Sequence, residues 1–174
     1  MNVSGCEELF DKLVAQQPIN QFILTGDDGT GRTDTAFLIA QRWQNQLPDE
    51  RYILTNLKDV DGTIHVESRD DVDKIVSDEY QYMIVLDEYN YTYDEHLFRI
   101  VTYLRKKNVG YAVTLNETTK IHPWINALCD IVYKEDKQTA SVYDGMNRDN
   151  LLYSISDLDS TELEYDVFQQ GDKL

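Results

Sequence analysis

The chain has 174 residues, with 32 acids against 16 bases and a formal net charge of −16. That length suits one domain of ordinary size with enough surface to bury a real core. The charge excludes an ordinary nucleic-acid-binding module, which presents a basic face.

Residues 4–16 read as a helix: Ser4 caps it, Glu7 sits three positions on, and Leu9, Phe10, Leu13 and Val14 fall on one face. Pro18 ends it. Residues 21–25 form a first strand that is apolar on both faces, as a central parallel strand is. There follows Gly26-Asp27-Asp28-Gly29-Thr30-Gly31-Arg32-Thr33. Its glycine spacing matches the phosphate-binding loop G-x-x-x-x-G-K-[ST], with arginine in place of lysine. Glycines let successive backbone N–H groups curl inward toward phosphate oxygens. The next helix adds its positive N-terminal end. The basic side chain reaches the terminal phosphates, and the Thr33 hydroxyl would ligate magnesium. Taken alone, the same stretch also reads as a glycine-rich turn between a strand and a helix. The candidate nucleotide-binding set is Gly26, Asp27, Asp28, Gly29, Thr30, Gly31, Arg32, Thr33 and Asp34.

The helix after the loop runs from about Thr33 to Gln46, with Ala36, Phe37, Ile39, Ala40 and Trp43 as its buried face and Pro48 past its end. Tyr52–Leu57 is a second strand, and a short strand is expected at Thr63–Glu67. Arg69–Asp78 reads as a helix with Val72, Ile75 and Val76 inward. Tyr82-Met-Ile-Val-Leu-Asp87-Glu88 is a buried strand that delivers two carboxylates at its carboxyl end. Asp94–Lys107 is the clearest amphipathic helix, with Leu97, Ile100, Val101 and Leu104 at i, i+3, i+4 and i+7. Gly110–Leu115 is another buried strand, ending at Asn116. A short helix near Pro123–Leu128 precedes a strand at Asp130–Lys134. Gln138–Tyr143 and Leu151–Ile155 read as a terminal hairpin, and residues 157–174 as an acidic tail. The division is therefore a domain over 1–156 and a tail over 157–174. Strands alternating with helices predict an α/β, three-layer fold with a mostly parallel central sheet.

In an open parallel sheet, ligands bind beyond the carboxyl ends of the strands. The glycine loop, the acidic pair and Asn116 all fall at such ends, in one order along the chain. Asp87 would hold the magnesium, Glu88 would orient and deprotonate the attacking water, and Asn116 would sense the terminal phosphate. Alone, the acidic pair also reads as a solvated loop start, and Asn116 as an Asx turn.

These motifs resemble the P-loop NTPases, over about residues 20–135, and within them the additional-strand class with a glutamate after the Walker B aspartate. Thr55-Asn56 at the end of the second strand and Arg105-Lys106-Lys107 before the sensor strand resemble the FtsK–HerA group and its zonula occludens toxin-like members. That branch often has Gln where this chain has Asn116, and the toxin-like members carry a membrane segment not found here. The resemblance implies ATP and Mg²⁺ as ligands, a homo-oligomer, and DNA or a DNA-processing complex as partner. It also implies an arginine supplied to the neighbouring subunit's site, for which Arg105 and Arg148 are the candidates; for Arg148 a surface salt bridge is the preferred role. Arg32 departs from the family: a planar fork can grip phosphate by paired hydrogen bonds but follows a moving phosphoryl group less easily than an ammonium.

The function expected is an ATPase motor subunit for DNA translocation or packaging. The alternatives are a slow or non-hydrolysing nucleotide-dependent regulator and an acidic interaction protein with a vestigial loop. The acids themselves allow three origins: the surface of a protein from a salt-rich cytoplasm, where charge is screened within about 3 Å at 1 M; attraction of a basic partner; or mimicry of nucleic acid. Their even spread and the nine lysines favour the first, which with the resemblance points to a haloarchaeon or its virus. Cys6 and Cys129 have no paired spacing and read as reduced thiols, and His65, His96 and His122 form no ligand cluster. Glu7 and Glu8 precede any basic run, and no apolar run reaches a membrane span, so a cytoplasmic protein with neither leader nor membrane segment is expected.

Overall fold

The computed structural model describes residues 21–27, 29–87, 94–115, 129–144 and 151–155. In chain order these form β1 (Gln21–Gly26), α1 (Arg32–Gln46), β2 (Arg51–Thr55), β3 (Thr63–His65), α2 (Arg69–Ile75), β4 (Gln81–Asp87), α3 (Asp94–Lys106), β5 (Val109–Thr114), β6 (Asp130–Lys134), β7 (Ala140–Tyr143) and β8 (Leu151–Ile155). The expected helices over 4–16 and near 123–128 and the acidic tail lie outside the described residues, as do Cys6 and His122.

All eight strands join one sheet in the order β3-β2-β4-β5-β1-β6-β7-β8. The six from β3 through β6 run parallel, and β7 and β8 add antiparallel strands at one edge, the expected terminal hairpin. β5 lies between β1 and β4, so the loop-bearing strand and the acid-bearing strand are separated by one strand.

Period-2 alternation splits the strand side chains between two cores. On one face Phe22, Leu24, Met83, Val85, Ala112 and Val132 pack against Ala36, Phe37, Ile39, Ala40 and Trp43 of α1. On the other, Ile23, Ile84, Tyr111, Val113 and Ile131 pack with Val72 of α2 and Leu97, Val101 and Leu104 of α3. Helices on both faces of the sheet make three layers, the α/β architecture expected from the alternating pattern. Truncating a side chain as fully enclosed as Phe37 or Leu97 costs about 2–5 kcal/mol.

Several boundaries shift by a residue or two from the sequence expectation, and three of the shifts have a clear local reason. β2 stops at Thr55 because the Leu57 N–H turns back to the Thr55 hydroxyl at 3.2 Å. β3 stops at His65, since the Glu67 N–H goes to Asp71 Oδ2 at 2.8 Å, ahead of α2. α2, capped by the Ser68 hydroxyl on the Asp71 N–H, stops at Ile75 because Val76 is already extended at φ −70, ψ 126. Among the described residues, no helix is long and apolar enough to cross a membrane.

Candidate functional site

The carboxyl ends of β1, β4, β5 and β6 meet the N-terminus of α1, and the candidate residues collect there. β1 ends at Gly26, whose φ is +140. A Cβ at Gly26 would lie 2.4 Å from the Lys134 carbonyl oxygen and 3.2 Å from Thr30 Oγ1, so only glycine fits this close approach of two backbones. The chain then tightens on itself: the Thr30 hydroxyl donates to the Asp27 carbonyl at 2.7 Å. Gly29 and Gly31 take left-handed φ values of +81 and +76. Gly31 is the N-cap of α1 and brings no capping side chain, so the positive end of the helix is left open toward the loop. Asp27 is exposed.

Asp87 is the last residue of β4 and is held from three sides. Its carboxylate Oδ1 accepts from Thr114 Oγ1 at 2.9 Å, across the β4–β5 register pair Asp87↔Thr114. Its backbone N–H donates to Asn56 Oδ1 at 2.9 Å, and its carbonyl accepts from Asn56 Nδ2 at 3.0 Å. The Asn56 amide thereby adds one rung to the β2–β4 ladder after the β2 backbone has turned away. Finally, Thr33 Oγ1 in the first turn of α1 lies 3.4 Å from Asp87 Oδ1.

Thr33 and Asp87 thus bring two hard oxygen donors together. Among the described residues, no group of three or more His, Cys, Asp or Glu side chains is arranged to hold a metal. Two protein oxygens fit magnesium, which keeps several waters and takes its remaining ligands from substrate phosphates.

The basic residues divide differently from expectation. Arg32 Nη1 donates to the Leu115 carbonyl, and the Leu115 N–H is itself bonded to the Leu24 carbonyl at 2.8 Å, so one arm of the guanidinium ties the start of α1 to the end of β5. Lys134, the last residue of β6 and the register partner of Gly26, is fully buried. Its Nζ donates to the Lys137 carbonyl at 3.3 Å. Burial pulls the Lys134 ammonium down to about 8, against the opposing pull of Asp136 and Asp34. Burial likewise raises the Asp34 carboxyl, opposed by Lys137 and Lys134. The turn between β6 and β7 is wound around Asp136, whose Oδ1 accepts the Gln138 and Thr139 N–H groups, both at 2.8 Å. This folds Lys137 back over the loop: its Cα and Cγ lie 3.9 Å from where a Gly31 Cβ would be.

The structure therefore brings together Gly26, Gly29, Thr30, Gly31, Arg32, Thr33, Asp34 and Asp87. Glu88, Asn116, Asp28 and Arg148 lie outside the described residues. Arg105 is exposed in the last turn of α3, which leads into the amino end of β5, the sheet edge opposite the loop. It does not belong to the site of its own chain. Thr114, Lys134 and Lys137 escaped the sequence reading, and Asn56 entered it only as part of a family motif.

No family model and no curated relative matches the chain. Among solved structures it is similar to the genome packaging NTPase B204 of Sulfolobus turreted icosahedral virus 2. The complex with ATP-gammaS is 10% identical with a TM-score of 0.55, covering 82% of this chain and 99% of that one. The complex with AMPPCP is 12% identical with a TM-score of 0.54, covering 82% and 100%. The sulfate complex is 10% identical with a TM-score of 0.55, covering 82% and 98%. At these identities the likeness shows the fold: the chain has the P-loop NTPase fold.

Proposed function

We propose that this chain binds MgATP in the mouth formed by Gly26–Thr33 and hydrolyses it, as a subunit of an oligomeric motor for DNA translocation or packaging. The observation that carries the nucleotide reading is the approach of Thr33 Oγ1 to Asp87 Oδ1 at 3.4 Å beneath a loop of left-handed glycines. These two oxygens would hold magnesium, which when bound screens the negative charge of the phosphates. Loop amides and the N-terminus of α1 would bind phosphate oxygens. Asn56 and Thr114 hold Asp87 in place, and Glu88, next in sequence, is the proposed base for the attacking water. Asn116, one residue beyond the Leu115 that receives Arg32, is the proposed phosphate sensor. Asp27, Asp28 and Asp34 complete the proposed nucleotide-contacting stretch.

The motor role is supported by the likeness to a packaging NTPase in fold and extent. Arg105, exposed on the edge away from its own loop, is the proposed finger for a neighbouring subunit. A second reading, a nucleotide-dependent regulator with little turnover, is favoured by one observation. Arg32 is tied to the Leu115 carbonyl, and a guanidinium anchored to a strand end does not travel with a phosphoryl group.

Calorimetry with ATP and Mg²⁺ in molar KCl is expected to show one Mg-dependent site; no heat together with no shift in melting temperature would leave the acidic interaction protein as the surviving reading. Arg32→Ala should weaken binding by about 1.5–3 kcal/mol, the usual worth of a hydrogen bond to a charged group. Arg32→Lys should keep most of the affinity and turn over at least as fast. Turnover with and without DNA separates motor from regulator.

The acidic surface is proposed as an adaptation to a salt-rich cytoplasm. With a net charge of −16 the folded chain repels itself in dilute buffer, so its melting temperature should rise with KCl. A melting temperature that stays flat from low salt to molar KCl would instead favour a basic partner.

A further inference from the structure

A buried lysine beside a phosphate-type loop calls for a reason. Lys134 is one of the largest side chains with no exposure at all, in a chain where charged groups otherwise crowd the surface. Enclosing an ammonium is costly unless it is paired and fully hydrogen-bonded. Among the described residues its Nζ has one hydrogen bond, to the Lys137 carbonyl. An ammonium carries three donors. β6 places the Lys134 backbone in register with Gly26, its alternation with Val132 puts the side chain on the sheet face that α1 covers, and the β6–β7 turn lays Lys137 over Gly31. The charges around it come from two elements: Asp34 in the first turn of α1, and Asp136 with Lys137 in the turn. Asp34 is the residue after Thr33, so both lysines act electrostatically on the helix end that faces the loop.

We propose that Lys134 is a phosphate-binding cation of this site, delivered from β6 to the first turn of α1 with Lys137 beside it, and that it supplies the ammonium the loop lacks at Arg32. The inference rests on the nucleotide reading above and extends it to a residue outside the loop. Arg32, with one arm on Leu115, holds the loop to β5, while the compact Lys134 ammonium neutralises phosphate charge. A lysine that only pinned the β6–β7 turn would predict the opposite energetics from one that waits for an anion. In the first case removing it weakens the fold. In the second it relieves a burial penalty and costs affinity.

The test compares wild type with Lys134→Met, which keeps the length of the side chain and removes its charge. Melting temperature is measured without nucleotide, and ATP affinity by calorimetry with Mg²⁺, in one buffer. The melting temperature should hold or rise, and the affinity should fall about ten- to hundredfold, the size of one charge-assisted hydrogen bond. A lower melting temperature with unchanged affinity makes Lys134 a structural pin and overturns the proposal. Absence of ATP binding by the wild type overturns both this inference and the nucleotide reading, whereas tight wild-type binding with an unaffected variant overturns this inference alone.

A second measurement needs no variant to fold. Between pH 7.5 and 9.5 the second ionisation of a phosphate group, near pH 6, is complete. Lys134 loses its proton in this window, because burial pulls it down to about 8 against the opposing pull of Asp136 and Asp34. ATP affinity of the wild type should therefore fall as pH rises through it. Nucleotide-free stability should move the other way, because the unfolded lysine stays protonated up to its ordinary value and the folded one does not. Affinity that stays flat across the window overturns the proposal.

Discussion

Gly26→Ala is expected to destabilise the chain by about 2–6 kcal/mol, combining overpacking with a strained positive φ. The added methyl would sit 2.4 Å from the Lys134 carbonyl oxygen and 3.1 Å from Lys134 Cβ, at a residue whose φ is +140. That carbonyl belongs to the β1–β6 ladder and is not a flexible side-chain end, so relief requires separating two parallel strands. In a chain of this size the melting temperature should drop by ~5–20 °C. Gly29→Ala is the control: it shares a positive φ, +81, but a Cβ there meets nothing within 4 Å. Its cost should be limited to about 1–2 kcal/mol of left-handed strain. Equal melting temperatures for the two variants would show that the approach of Lys134 to Gly26 does not constrain the loop.

Glu88→Gln is expected to keep MgATP affinity while turnover falls by about 10²–10⁴-fold, the contribution of a positioned general base. Glu88 directly follows Asp87, the oxygen donor that closes β4. The two adjacent acids have separate tasks in the proposed mechanism. Asp87 grips the ion, so its loss would affect binding; Glu88 takes a proton from water, so its loss affects only the chemical step. Phosphate release and calorimetry on the same preparation read both. Turnover within twofold of wild type would place the base on another residue, and a parallel loss of affinity would make Glu88 part of the grip.

Much of the fold was legible because it is local. The short apolar runs at Phe22–Leu24 and Tyr82–Leu86 suit buried strands by their length, and the 3.6-residue spacing of Leu97, Val101 and Leu104 suits a helix with one inward face. Asp130–Lys134 kept its expected bounds. The glycine loop was legible because its φ values demand glycine at fixed intervals. What the sequence did not reveal depends on which strands become neighbours. Thr114 reads as an ordinary β-branched strand residue until β5 is placed beside β4 and its hydroxyl meets Asp87. Lys134 reads as a charged residue ending a strand, free to reach solvent. Its burial follows from the Asp136-wound turn closing over it and from β6 lying beside β1, and the second of these is not encoded within a few residues of position 134. Asn56 was singled out by its motif, but its task, pairing with both backbone groups of Asp87, emerged only from the geometry.

The Asn56 pairing has a consequence for the entropy of ligand capture. An aspartate at a strand end normally samples several rotamers on a fraying backbone, and ordering such a side chain costs about 0.5–1.5 kcal/mol at the moment of association. Here the amide of Asn56 fixes the backbone of Asp87 on both sides, and the Thr114 hydroxyl fixes its carboxylate. The ordering cost is met during folding, in the nucleotide-free chain. In the proposed site an incoming ion would find its carboxylate already set, and the slow exchange expected for the Asp87 amide proton should be the same before and after nucleotide and Mg²⁺ are added.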